Sequence, residues 1–195
     1  MFLPSEEGED DARTDSAPEA DSREEPDLVV VLDSSVIIQL KYVLPTEEQW
    51  GVFAAMLDLV RSGRLTFPRQ VARELAKEKH PDAPGIWCGE AVRHVRHSNP
   101  TDETMSELLE WIGDLVEVDA EPDREPADPY IAATAWELLE AGYDVAVATE
   151  DNIDRLPLKI ALTTACDRLG ITSWGLDTFL AWVRGPEQGD LLRET

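Results

Sequence analysis

From residue 28 onward, short runs of aliphatic and β-branched residues alternate with longer stretches whose apolar residues recur every three or four positions. The run LVVVL at 28–32 has no polar interruption, which predicts a strand covered on both faces, as in a parallel sheet. A short helix is expected behind it at 36–41. Thr46-Glu47-Glu48-Gln49 has the spacing of a capping box, opening a helix with Trp50, Phe53, Ala54, Leu57 and Val60 on one face and Gly63 as its stop. A short segment at 65–67 leads into Pro68 and a helix with Val71 and Leu75 inward. Further helices are predicted at 86–97 and 102–113, and a strand at 115–118. Asp128-Pro129 starts a helix that ends at Gly142, and a strand follows at 145–148. A helix at 159–169, a short strand at 171–173 and a last helix at 176–183 complete the pattern. Strands alternating with helices predict an α/β fold around a parallel sheet, with a longer helical stretch at 46–113.

Charge divides the chain unevenly. The 195 residues carry a formal net charge of −24. Residues 1–27 hold eleven acids and two bases, a net −9, with no large apolar residue after Leu3, and this stretch is expected to be a disordered acidic tail. Three units follow: the tail at 1–27, a single domain at 28–184, and a flexible end at 185–195. With 43% hydrophobic residues the chain has material for a core. No apolar run suits a membrane span and no basic-then-apolar leader is present, so a cytoplasmic protein with no membrane partner is expected. Two distant cysteines, Cys88 and Cys166, form neither a disulfide framework nor a CxxC pair. His94 and His97 are spaced to share a helix face but lack converging partners for zinc. The six tryptophans read as core; Trp87, inside the basic segment, could alternatively stack on a base. Phosphate-binding, dinucleotide and serine-hydrolase motifs are all lacking.

Ligands of open parallel sheets bind beyond the carboxyl ends of the strands. Asp33 follows the first strand, and Thr149-Glu150-Asp151 follows the strand at 145–148. Asp128 opens the helix after 115–118, and Glu74 lies beside the Val71/Leu75 stripe. Up to four carboxylates can therefore meet at one sheet edge. Each also has a structural explanation: Asp33 and Asp128 as helix caps, Glu74 as a surface helix residue, Asp151 as a turn residue. If they converge, they repel one another unless a cation neutralises them. Mg²⁺ or Mn²⁺ suits an all-oxygen set and the hydrolysis of phosphodiesters. Between Arg61 and His97 eight bases face four acids, the one locally positive stretch of the chain. Arg73, Lys77, Arg93 and Arg96 are the candidate nucleic-acid backbone contacts.

VVVLDSSVIIQL at 29–40, FPRQVARELA at 67–76, PADPYIAATAWELLEAGYDVAVATED at 126–151 and LGITSWGLDTFLAWV at 169–183 together resemble PIN domains, in order and over roughly 28–184. That resemblance implies a three-layer α/β sandwich with a central parallel sheet flanked by helices. It implies a metal-dependent ribonuclease using Mg²⁺ or Mn²⁺, often the toxin of a toxin–antitoxin pair with an antitoxin protein as partner, and often a homodimer. Carried over residue by residue, Asp33, Glu74, Asp128 and Asp151 match the family's catalytic acids, with Asp33, Asp128 and Asp151 on the metal. Ser35 matches the supporting hydroxyl. Glu150 stands beside Asp151, and the Thr-x-Asp pattern favours Asp151 for the metal. The alternative is a non-catalytic PIN-like scaffold that binds a protein partner through its acidic surface.

Overall fold

The computed structural model describes residues 28–76, 82–97, 99–116 and 125–185. Both predicted tails fall outside these apart from Gly185, as does Lys77. Four strands, β1 (Leu28–Leu32), β2 (Leu65–Thr66), β3 (Asp144–Ala148) and β4 (Thr172–Trp174), form a parallel sheet in the order β2-β1-β3-β4. Eight helices surround it: α1 (Ser34–Val43), α2 (Thr46–Ser62), α3 (Arg69–Leu75), α4 (Ala83–Ala91), α5 (Asp102–Trp111), α6 (Asp128–Glu140), α7 (Leu162–Leu169) and α8 (Leu176–Arg184). They pack as two groups, α1–α4 with α8 and α5–α7, on opposite sides of the sheet. The result is a three-layer α/β sandwich.

The uninterrupted apolar run of β1 follows from this layering. Val29, Val30, Val31 and Leu32 are buried because helices cover both faces of the central strands. Phe67, Met56, Phe179, Ile131 and Leu162 fill the layers around them. Polarity at Val30 or Val31 would leave an unpaired group in this core, at a cost of roughly 2 kcal/mol or more.

The strand order decides where a crevice opens. The chain leaves β1 through α1 and α2 toward β2, whereas it leaves β3 through α7 toward β4. Two adjacent parallel strands whose exits diverge form a topological switch point, where ligands bind in this class of sheet. Leu32 is in register with Ala148, so Asp33 and Thr149 emerge side by side.

Several sequence expectations change. The strand at 115–118 is not formed in its described part: Gly113–Leu115 is a short 3-10 helix, and residues 117–118 lie outside the described residues. Leu115 is buried there by helical packing, which explains why its hydrophobicity suggested a strand. The capping box at Thr46 does not form. Pro45 occupies the cap position, and Gln49 turns inward to donate Nε2 to the carbonyls of Leu44 (3.0 Å) and Lys41 (3.2 Å). The helix expected at 86–97 stops at Ala91, and it begins earlier because Asp82 caps it by accepting from the Gly85 amide. Trp87 is core, packed on Phe53 and Phe67, and is not free to stack on a base. Trp50 and Trp111 are more than half exposed, so the reading of both as core is corrected. Both cysteines are buried, and burial pushes their thiols up to about 12.

Candidate functional site

Asp33 stands in the N-cap position of α1, yet its side chain makes no cap bond. Its carboxylate turns instead into the switch-point crevice. Ser35 Oγ donates to Oδ2, and Thr149 Oγ1 donates to the same oxygen at 2.8 Å. Asp33 is only 4% exposed. Burial is the main reason that its carboxyl is raised to about 6; the Ser35 hydroxyl opposes this, and the charges of Asp128 and Glu74 add to it.

Glu74 reaches the same place from the last turn of α3. Its Oε2 accepts from Ser34 Oγ at 2.6 Å, and its Oε1 accepts from the Ala127 amide at 3.3 Å. That amide belongs to the open first turn of α6, which has no donor partner within the helix. Glu74 therefore ties the starts of α1 and α6 together, a role that excludes the reading of Glu74 as an ordinary surface residue.

Asp128 is the first residue of α6, with Ala127 as the cap, so capping does not account for it either. Its carboxylate is bonded by the ammonium of Lys159. Lys159 Nζ also lies 3.0 Å from Asp151 Oδ2, which accepts in addition from the Leu162 amide at 3.1 Å at the start of α7. Lys159 is 8% exposed. Burial alone would lower its pKa, but the two aspartates hold it above the usual lysine value. Asp128 sits above the ordinary carboxylate range because burial, Asp151 and Glu74 together outweigh Lys159.

The neighbours Glu150 and Asp151 point different ways. The Glu150 amide donates to Ser35 Oγ at 3.0 Å, but its carboxylate accepts from the Leu176 amide at 2.6 Å and serves the start of α8. Asp151 faces Asp128 across Lys159. Lys159, Ser34 and the Thr149 hydroxyl were not among the residues singled out in the sequence. Lys159 left a faint signal, as one of four lysines in an acidic chain and set in an apolar stretch, LPLKIAL.

The basic residues are dispersed. Arg73 is exposed and pairs with Glu125 at 3.1 Å, close in sequence to Ala127 and Asp128. Arg93 pairs with Glu90 of α4. Arg96 lies over the loop before β2, donating to the Arg61 carbonyl at 3.5 Å. A Cβ on Gly63, whose φ is +81°, would stand 2.9 Å from its guanidinium. His97 packs against Tyr143, just before β3. In a parallel sheet those segments enter at the amino edge, opposite the acids. Arg96 is therefore set apart from the carboxylates rather than forming a track beside them.

An all-oxygen donor set from four separate segments suits a hard divalent cation. The Asp33 side fits one: its buried carboxylate is held by neutral hydroxyls, which leave its charge uncompensated. The Asp151 side is already bridged to Asp128 by an ammonium. Among the described residues no three His, Cys, Asp or Glu side chains stand closely enough to enclose a metal as they are placed. No family model matches the chain, and no curated protein matches it. Among the described residues, no helix is long and apolar enough to cross a membrane.

Proposed function

We propose that this chain is a metal-dependent endoribonuclease that cleaves RNA phosphodiesters at the switch-point crevice. The observation that carries the reading is that Asp33, Glu74, Asp128 and Asp151, drawn from four separate segments, lie close enough there for their charges to act on one another. Neither Asp33 nor Asp128 has the cap bond that would explain it structurally. The motif resemblance to PIN domains supplies the reaction class. Mg²⁺ or Mn²⁺ would be held by Asp33 and Asp128, with Glu74 and Asp151 alongside. When bound, it supplies a Lewis acid for the phosphoryl oxygen and a water of lowered pKa.

The chain's own contribution is positioning. The hydroxyls of Ser35 and Thr149 fix Asp33 in one orientation without neutralising it. Glu74 fixes the start of α6 and so the approach of Asp128. Arg73, exposed at the end of α3, is placed to meet an RNA phosphate. On the same resemblance the proposal extends to a homodimeric toxin held by an antitoxin protein. A neighbouring reading frame for a small DNA-binding protein would support that extension.

The test is cleavage of single-stranded RNA by the purified full chain with Mn²⁺, Mg²⁺ or chelator. Divalent-dependent cleavage, lost in Asp33→Asn with the fold retained, is the expected result. Absence of cleavage by a protein that binds Mn²⁺ would turn the reading to the non-catalytic scaffold, which Lys159 favours by already compensating part of the acid set.

A further inference from the structure

The acid cluster brings its own cation. Lys159 is the only basic group that the described contacts place on these carboxylates, and it is positioned by a specific piece of chain. The loop between β3 and α7 closes on itself through backbone bonds between Arg155 and Lys159, at 2.9 Å from the Arg155 amide and 3.3 Å from the Lys159 amide. The Ile160 amide donates to the Asp114 carbonyl at 2.8 Å, anchoring the next residue to the turn after α5. Asp154 Oδ1 accepts from the Ala161 amide at 2.8 Å. The backbone on both sides of Lys159 is thus held, and its side chain crosses into the crevice between Asp128 and Asp151.

Two oxygens on different elements, bridged by one positive centre, are what a bound cation would otherwise have to satisfy. Hydroxyls hold Asp33 and Glu74; an ammonium holds Asp128 and Asp151. Four carboxylates and one ammonium leave three net negative charges, which one divalent ion reduces to one. A second divalent ion would have to sit against the ammonium, on oxygens that the ammonium already uses, and like charges at that range repel strongly.

We propose that Lys159 is a positioning residue that takes the place of a second metal ion, so that the chain holds a single divalent cation on the Asp33 side. The inference rests on the metal-dependent reading above and deepens it. Lys159 keeps Asp151 on the start of α7 and holds one oxygen of Asp128, leaving the other for the cation. The site is thereby specified for one ion of hard character rather than for a pair.

The experiment counts Mn²⁺ bound per full-length chain, by electron paramagnetic resonance of free Mn²⁺ at increasing metal. The parent is expected to bind one ion in the crevice, lost in Asp33→Asn. Lys159→Met is expected to bind two, and Lys159→Arg, which keeps the charge, one. Two crevice ions in the parent, or one in a folded Lys159→Met, overturns the inference while leaving the metal reading intact. If Lys159→Met does not fold, the parent count and Lys159→Arg decide, since two ions in either refutes the substitution of ammonium for metal. No Mn²⁺ bound by the parent removes the metal reading and this inference with it. One ion bound, released by Asp33→Asn, but no RNA cleavage leaves Lys159 in its role and rejects the nuclease reading alone.

Discussion

The two halves of the acid crevice are built on different principles. On one side Asp33 and Glu74 receive hydrogen bonds from Ser34, Ser35, Thr149 and a backbone amide, all neutral donors. On the other side Asp128 and Asp151 share an ammonium. Neutral donors orient a carboxylate but leave its charge, so burial still raises Asp33 to about 6. An ammonium orients and neutralises together. As the chain stands, the first half is electrostatically strained, whereas the second carries its own counter-charge and is in that sense complete.

The largest expected effect comes from breaking the complete half. Lys159→Met leaves two facing aspartates with no counter-charge. Loss of one partner of a buried pair costs about 3 kcal/mol or more, with Asp151, 26% exposed, keeping the cost toward the low end. Chemical denaturation in chelator should show this loss, and an unchanged midpoint would mean that the pair contributes nothing.

Breaking the strained half should act in the opposite direction. The carboxyl of Asp33 is raised from 3.8 to about 6. Between these pH values the native state holds a proton that the unfolded state has released, so stability falls as pH rises through the window. Above pH 6 the full cost is present, about 3 kcal/mol at roughly 1.4 kcal/mol per pH unit. Asp33→Asn should therefore stabilise the metal-free protein by about 2–3 kcal/mol at pH 8, shrinking to about 1 kcal/mol at pH 4.5. The same variant should lose Mn²⁺-dependent cleavage. A destabilised Asp33→Asn at pH 8 would show that the hydroxyl cradle requires the charge.

Asp151→Asn sharpens the contrast. It should change Mn²⁺ affinity by only about threefold, against at least about a hundredfold for Asp33→Asn, a difference of roughly 2 kcal/mol. Glu150→Ala should cost about 1 kcal/mol of stability, as loss of a helix-start acceptor does, with Mn²⁺ affinity unchanged. Titration calorimetry on the three variants separates these outcomes.

The smallest effect is expected far from the crevice. Arg93→Glu/Arg96→Glu should leave RNA affinity within about threefold and its salt slope nearly unchanged, whereas Arg73→Glu should weaken binding and flatten the slope by roughly 0.7, one phosphate contact on a single strand. A steep loss in the double variant would place the RNA along the amino edge of the sheet.

What the sequence carried by itself was largely local. The unbroken apolar run of β1 announced a strand covered on both faces, because only that environment removes the need for alternation. Gly63 and Gly142 marked helix ends, since both adopt the left-handed conformation that other residues resist. The positions of Asp33, Asp128 and Asp151 beside strand and helix ends were legible for the same reason. Tertiary structure decided the rest. Whether Leu115 belonged to a strand depended on its packing partners, and whether Thr46 capped α2 depended on Pro45 and the inward turn of Gln49. The separation of Glu150 from Asp151 was settled by two different helix starts, α8 and α7, competing for adjacent carboxylates. Lys159 is the plainest case: its meaning lies in two aspartates 31 and 8 residues away along the chain, a proximity that spacing does not encode and only the closing of the sheet and its loops creates.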